Sequence, residues 1–275
     1  MLRSLLSLAL ALSLFPLARG AAAADAAAGP TLGLQTWTCR NMSFDEVVRF
    51  AVKHGIRNLQ VIAAHMDPLA PREETLRKKA ILDQNGLVAY TFGVAATSLD
   101  KEKNRRLFEF ARLVGIKLIV VEPRDQAEWD NLEQLVKEYD IRLAIHNHGT
   151  GTVYGDPATV RQVLAARDPR IGVCLDVGWI TAAGFDAADV FRSYNGRVFD
   201  IHFKDKTREV VDGKVVALDT EIGRGHSNYD GLFAEIRRSG WTGVMAIETD
   251  SKAFAADPNR LVAEAKAFFA SKIAR

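Results

Sequence analysis

Cysteine is scarce in this chain, with only Cys39 and Cys174 among 275 residues. One disulfide is the most that could form, and the two positions fall on the first and sixth of the strands delineated below. Those strands are not neighbours in an eight-strand ring, so both side chains are expected to be free, buried thiols. An excess of charge is missing too. The chain carries 36 basic and 34 acidic residues, and both surplus bases, Arg3 and Arg19, lie in the first 24 positions. A near-neutral chain argues against a polyanion partner, and the longest basic cluster, Arg77-Lys78-Lys79, reads as the solvated side of a helix. No nucleic-acid partner is therefore expected. Long apolar runs are absent beyond the N-terminus, so no membrane span is expected in the mature chain, and no glycine-rich phosphate loop follows any strand.

The one apolar run that does occur, Leu5 to Leu17, follows Arg3 and precedes small residues ending in Ala22-Ala23-Ala24. It is shorter than the roughly 20 residues of a spanning helix and has the form of a secretory leader with an A-x-A cleavage site. The expected organisation is a signal peptide over 1–24, a short linker over 25–30 and one domain over 31–275, in an exported, periplasmic protein.

From Thr31 the sequence alternates short β-rich apolar runs with longer amphipathic ones. Eight strands are predicted: Leu32–Trp37, Asn58–Ile62, Val88–Val94, Lys117–Val121, Arg142–Ile145, Ile171–Leu175, Val198–Phe203 and Gly243–Ile247. Between them, segments such as Phe44-x-x-Val47-Val48-x-x-Ala51-Val52 have helical spacing. Strands as continuously apolar as Leu118-Ile119-Val120-Val121 belong in a parallel sheet covered on both faces. Eight βα units in about 250 residues predict a single-domain (β/α)₈ TIM barrel rather than an open doubly wound sheet. The long segment from Asp205 to Tyr229 departs from the repeat, and Asp212-Gly213 between valine pairs predicts a hairpin within it.

In such a barrel, function gathers at the C-terminal strand ends. Those ends are polar here: His65 after strand two, Glu122 after four, His146-Asn147-His148 after five, Asp176 after six, His202 and Lys204 after seven, and Glu248 after eight. His146, Asp176, His202 and Glu248 would converge on the axis. Two imidazoles and two carboxylates suit one borderline divalent ion, Mn²⁺, Co²⁺, Fe²⁺ or Zn²⁺, rather than the all-oxygen shell of calcium.

The stretches Ile145-His146-Asn147-His148-Gly149, Val173-Cys174-Leu175-Asp176-Val177-Gly178-Trp179, Asp200-Ile201-His202-Phe203-Lys204-Asp205 and Ile247-Glu248 resemble the xylose isomerase-like, sugar isomerase/epimerase superfamily. The likeness runs over essentially all of residues 31–275. It implies a TIM barrel binding one metal through residues of strands five to eight, with Asp176, His202 and Glu248 as three ligands. The fourth position departs from the pattern, because His146 stands where the superfamily has a glutamate. In its isomerases and epimerases two glutamates pass a proton across the bound ketose, and a metal-bound imidazole cannot be that second base. The His-x-His-Gly segment is more similar to inosose dehydratases and to exported relatives proposed to cleave 3-keto-glycosides.

That resemblance implies a keto-sugar or keto-glycoside substrate and proton abstraction beside a metal-bound carbonyl, ending in β-elimination or isomerisation. Glu248 is expected to take the proton, and Lys204, His148 or Glu122 to protonate the leaving oxygen. Lys204 is equally readable as an ion-pair partner of Asp205, and His148 as a residue that orients His146. His65, Arg224, His226 and Trp179 are candidate substrate contacts, the middle two because Gly223-Arg224-Gly225-His226 is similar to the superfamily's Gly-x-Gly segment. Of Trp37, Trp179 and Phe203, one is expected to stack on a sugar face. A free-ketose isomerase or epimerase and a non-catalytic exported sugar binder are the alternatives, and the oligomeric state is left open. A nuclease of this fold would need further ligands and a basic groove.

Overall fold

A computed structural model describes residues 29–274. The predicted leader (1–24) and most of the linker lie outside them. The chain runs β1 (Thr31–Gln35), α1 (Phe44–His54), β2 (Asn58–Val61), α2 (Arg72–Gln84), β3 (Val88–Ala95), α3 (Lys101–Val114), β4 (Leu118–Val121), α4 (Glu128–Tyr139), β5 (Arg142–His146), α5 (Pro157–Ala166), β6 (Ile171–Asp176), α6 (Val177–Ala182), α7 (Ala187–Ser193), β7 (Val198–Phe203), β8 (Asp205–Val211), β9 (Lys214–Thr220), α8 (Tyr229–Ser239), β10 (Val244–Ile247), α9 (Lys252–Ala256) and α10 (Asn259–Ile273). Strands β1 to β7 and β10 close a parallel barrel in the order β1-β10-β7-β6-β5-β4-β3-β2, and β8 and β9 form a separate antiparallel pair. The predicted TIM barrel is the fold.

Local chemistry explains where elements begin and end. Helix α1 starts at a reciprocal capping box of Ser43 and Glu46 and stops at Gly55, whose φ of 62° is left-handed. Its buried face, Val47, Val48 and Ala51, packs on the outside of the strands in the large core that also holds Leu59, Ile119 and Leu143. Burial of such side chains contributes about 1.5–3 kcal/mol each, which secures the helix to the barrel. Inside the ring, Leu118, Val120, Ala144 and Cys174 form a second, smaller cluster. By two-residue alternation, Ala144 and Cys174 share their face with His146 and Asp176, so the apolar filling sits directly beneath the polar strand ends.

Most predicted strand boundaries move by a residue or two, and two of the shifts bear on the strand ends. The first strand stops at Gln35, where the Gln35 side chain accepts from the Trp37 amide at 3.1 Å and turns the chain into a short 3₁₀ helix, Thr36–Cys39. Cys39 therefore lies on that turn and not on a strand, although it and Cys174 are free and buried as expected. The second strand stops at Val61, and His65 follows in a turn closed by its amide to the Ile62 carbonyl at 3.0 Å. The hairpin is longer than Val210–Val216 alone, and Asp212 and Gly213 form its turn with φ of 51° and 75°. Among the described residues no helix is long and apolar enough to cross a membrane.

Candidate metal centre and cavity

Three barrel strands bring three candidate ligand atoms to one point. His146 ends β5, Asp176 ends β6 and His202 lies in β7, with Asp176 directly opposite His202 in the ladder. His146 Nε2 and His202 Nδ1 are 3.1 Å apart, and Asp176 Oδ2 is 3.4 Å from each. Asp176 Oδ2 and His202 Nδ1 are freed by what the other end of each side chain does, whereas His146 Nδ1 has no hydrogen-bond partner. Asp176 Oδ1 caps α6 by accepting from the Trp179 amide at 2.9 Å, leaving Oδ2 buried with no hydrogen-bond partner. His202 Nε2 stands 2.6 Å from Gln60 Oε1, an acceptor, so Nε2 carries the ring proton and Nδ1 offers a lone pair. His146 is held near neutral at ordinary pH, its pKa lowered to about 4 chiefly by burial. Burial also works against a charged His202, but Asp176 and Glu248 outweigh it and raise its proton affinity. The arrangement attracts a cation.

The spacing fits a metal ion. Donors about 2.1 Å from a metal stand about 3.0 Å apart in an octahedron and about 3.4 Å apart in a tetrahedron, bracketing the observed 3.1 and 3.4 Å. His146, Asp176 and His202 accordingly form a buried metal-competent group. Glu248 stands apart from that trio. Its carboxylate, one residue beyond β10, meets the Lys204 ammonium. Lys204 also lies 3.1 Å from Asp176 Oδ2 and 2.7 Å from Asp250 Oδ2. Burial, with Asp250 and Asp176 nearby, outweighs the opposing pull of the Lys204 ammonium and pushes Glu248 up to about 7. Gly178 makes room for this lysine, since a Cβ there would meet Lys204 Cγ at 2.7 Å.

His148 leaves the end of β5, yet its ring stays 4.5 Å from that of His146. Its Nδ1 pairs with Glu122 Oε2 at 2.7 Å, and its pKa is raised because Glu122 outweighs the effect of burial. Between the strand ends opens a cavity of about 360 Å³, lined on one side by His146, His148, His202, Lys204, Glu248 and Asp250. A larger groove, about 630 Å³, lies on the flank of α2 and α3 and holds none of the candidate residues.

The other sequence candidates are placed differently. His65 is buried with Nε2 at 3.1 Å from the Met42 carbonyl, and it does not line the cavity because the strand ends early and turns it aside. Arg224 is exposed, and His226 is held on the hairpin, its Nδ1 accepting from the Arg208 amide at 2.9 Å. Their segment wraps an internal anion: the amides of Gly223 and Gly225 both donate to Asp205 Oδ2 at 2.9 Å. A Cβ on Gly225 would strike Asp205 Oδ1 at 2.2 Å, so this glycine serves the nest and not the cavity. Trp179 lies behind His148, its ring 5.7 Å away, with Lys206 Nζ 4.0 Å over its face. Phe203 is buried among Tyr229, Phe233, Phe268 and Phe269. Of the three aromatic candidates only Trp37 lines the cavity.

Several partners are silent in the sequence. Asn147 ties β5 to β6, donating to the Asp176 carbonyl at 3.1 Å and accepting from the Asp176 amide at 2.9 Å. Asp219, on β9, accepts from Thr249 Oγ1 at 2.7 Å and from the Asp250 amide at 2.6 Å, and it pairs with Lys206. Asp250 is legible only as the residue two beyond Glu248 along an extended end. Gln60 and Asp219 carry no such signal.

A parallel barrel with a metal-competent trio at its C-terminal rim defines a class of protein, and comparison with known proteins agrees. Residues 29–272 match the model of the xylose isomerase-like TIM barrel family, and the chain belongs to that family. An inosose dehydratase of Clostridium perfringens is 23% identical over 245 residues, covering 74% of this chain and 82% of the relative. The D-allulose 3-epimerase of Methylomonas sp. superposes with a TM-score of 0.69 at 13% identity, over 89% of this chain and 98% of that one. The IolI protein, solved with a bound zinc atom, superposes with a TM-score of 0.66 at 13% identity, over 88% and 98%.

Proposed function

We propose that this protein is an exported, divalent-metal-dependent enzyme that acts on a keto-sugar or keto-glycoside by β-elimination. The observation that carries the reading is the 3.1–3.4 Å triangle of His146, Asp176 and His202 set between two proton-transfer groups, Glu248 and the His148–Glu122 pair. The inosose dehydratase relative supports dehydration-type chemistry, and the zinc-bound neighbour supports a metal in this fold. The leader pattern at residues 1–24 supports export to the periplasm.

His146, Asp176 and His202 would hold the ion, with Glu248 as the fourth candidate ligand, and Mn²⁺, Co²⁺, Fe²⁺ or Zn²⁺ suits that donor set. When bound, such an ion supplies Lewis-acid polarisation of a substrate ketone. Glu248 removes the proton from the carbon next to the ketone, and that C–H pair becomes the new C=C bond. The C–O bond at the next carbon breaks, its electron pair leaving with oxygen, and His148 supplies the proton that oxygen needs. The products are an unsaturated ketone and an alcohol, or water where the leaving group is hydroxyl. Glu122 positions His148 through Nδ1 and leaves Nε2 for the substrate. Lys204, shared among three carboxylates, balances charge and does not deliver the proton.

An isomerase or epimerase is the second reading, favoured by the proton-carrying His148–Glu122 pair, which could return a proton to carbon. The deciding experiment incubates Mn²⁺- and Co²⁺-loaded protein with keto-sugars, inososes and 3-keto-glycosides and follows products by mass spectrometry. Free aglycone with an unsaturated sugar supports elimination. A rearranged sugar of unchanged mass supports the second reading, and no turnover of any compound overturns both.

A further inference from the structure

The cavity is divided by topology. Its charged wall comes from β5, β7 and β10, whereas Trp37, Ile62, Ala63, Ala64 and Val94 come from the chain following or ending β1, β2 and β3, which are adjacent in the ring. One continuous arc of the rim therefore carries the charged groups, and the opposite arc is apolar apart from Gln35, whose side chain is spent on the Trp37 amide and the Gly93 carbonyl. Trp37 and Val94 remain 43% and 40% exposed, large apolar groups facing the opening.

Trp37 is a fixed surface. Arg40 lies over its ring at 4.8 Å, and that guanidinium is anchored by the carbonyls of Thr249 at 3.0 Å, Asp250 at 2.9 Å and Ser251 at 3.1 Å. The Trp37 amide is held by Gln35, whose Nε2 in turn donates to the Gly93 carbonyl beside Val94 at 2.9 Å. A preorganised aromatic wall loses little conformational freedom when a ligand covers it.

Among the described residues, the lysines and the arginine beside the opening are committed. Lys204 serves Asp176, Glu248 and Asp250, Lys206 pairs with Asp219, and Arg40 is committed to backbone carbonyls. Away from the metal trio and His148, a phosphate or carboxylate on the substrate would meet Glu248 and Asp250 with no uncommitted lysine or arginine among the described lining residues to neutralise it.

From this division we infer that the natural substrate is an uncharged glycoside whose aglycone is apolar, the sugar lying against the charged arc and the aglycone on Trp37, Ile62 and Val94. This deepens the elimination reading and rests on it for the leaving group: the alcohol released is the part held on the apolar arc, so the wall contributes to recognition of that group.

Equilibrium binding separates this inference from the reaction. Phenyl and methyl glucosides, both anomers of each, lack the ketone and bind without turnover. Isothermal titration of Mn²⁺-loaded protein is expected to show the phenyl compound of one anomer binding at least tenfold tighter than its methyl counterpart, with glucose 6-phosphate not binding. Trp37→Ala is expected to reduce that preference to less than threefold while methyl glucoside affinity stays within twofold. Ala64→Asp, at an exposed position in the turn after β2, should do the same. Equal affinity for phenyl and methyl compounds, a phenyl preference that survives both substitutions, or tight binding of the phosphate overturns the inference. If keto-glycosides are not cleaved yet the phenyl preference holds, the reaction reading fails and the apolar subsite stands.

Discussion

Gln60 Oε1 stands 2.6 Å from Nε2 of His202 and thereby decides which nitrogen of that ring faces Asp176. The bond crosses the barrel from β2 to β7, fixing both tautomer and ring angle. Gln60→Leu keeps a similar volume but leaves the Nε2 proton unpaired and the ring free to present it to the metal position. Metal affinity should fall about 10–100-fold, the cost usual for losing such a partner. Competition with a chromophoric chelator measures it, and unchanged affinity would remove Gln60 from the site.

Metal binding should also appear as stability. At about 100 times its dissociation constant, an ion that binds only the folded state adds about 2.7 kcal/mol. For a domain of this size that is a rise in Tm of roughly 5–10 °C. Calorimetry of chelator-dialysed and Mn²⁺-loaded protein tests it, and His146→Ala should abolish the difference.

Glu248→Gln preserves shape and removes the base. Turnover of whichever keto-compound proves to be the substrate should drop about 10²–10⁴-fold while the His146–Asp176–His202 trio keeps the metal. Near-wild-type kcat in metal-loaded protein would assign the proton transfer elsewhere.

Lys206 and Asp219 form a buried ion pair across the two strands of the hairpin, and Asp219 also joins the hairpin to the rim by accepting from Thr249 Oγ1 and the Asp250 amide. Asp219→Ala leaves the lysine only Asp250 Oδ2, 3.5 Å away, and frees the Thr249–Ser251 backbone, so urea denaturation should show a loss of about 3–5 kcal/mol. Adding Lys206→Met to that background should recover part of the loss, because the buried ammonium that has lost its nearer carboxylate is then gone. An unstable single variant with no recovery in the double would locate the effect in the backbone contacts alone.

Both thiols should be inert in the native state. Burial pushes Cys39 up to about 12, and burial with Asp200 nearby takes Cys174 well above the ordinary thiol range. A thiolate-specific reagent should label neither in native protein and both in denaturant. Rapid native labelling of either would contradict its placement.

Much of this was legible in sequence because barrel geometry converts strand-end position into convergence. His146, Asp176 and His202 could be placed at one point from order alone, since parallel strands of known succession leave their last residues side by side. His65, Arg224 and His226 illustrate the limit. Where each side chain goes was decided by a particular partner: the Met42 carbonyl, solvent, and the Arg208 amide. The early end of β2 and the Asp205 nest arise from such contacts, which periodicity does not encode. Asp219 was hidden for a related reason, because it reaches the rim from a hairpin whose other residues are largely solvated.

The split rim has an evolutionary corollary. The apolar arc is encoded before residue 96 and the charged arc after residue 141, with β4 between them. The two arcs are thus separate inheritable segments of one gene. Recombination within the α3–β4 stretch could exchange what is recognised without rewriting what is done to it, provided that the incoming β2 keeps a glutamine at the place of Gln60.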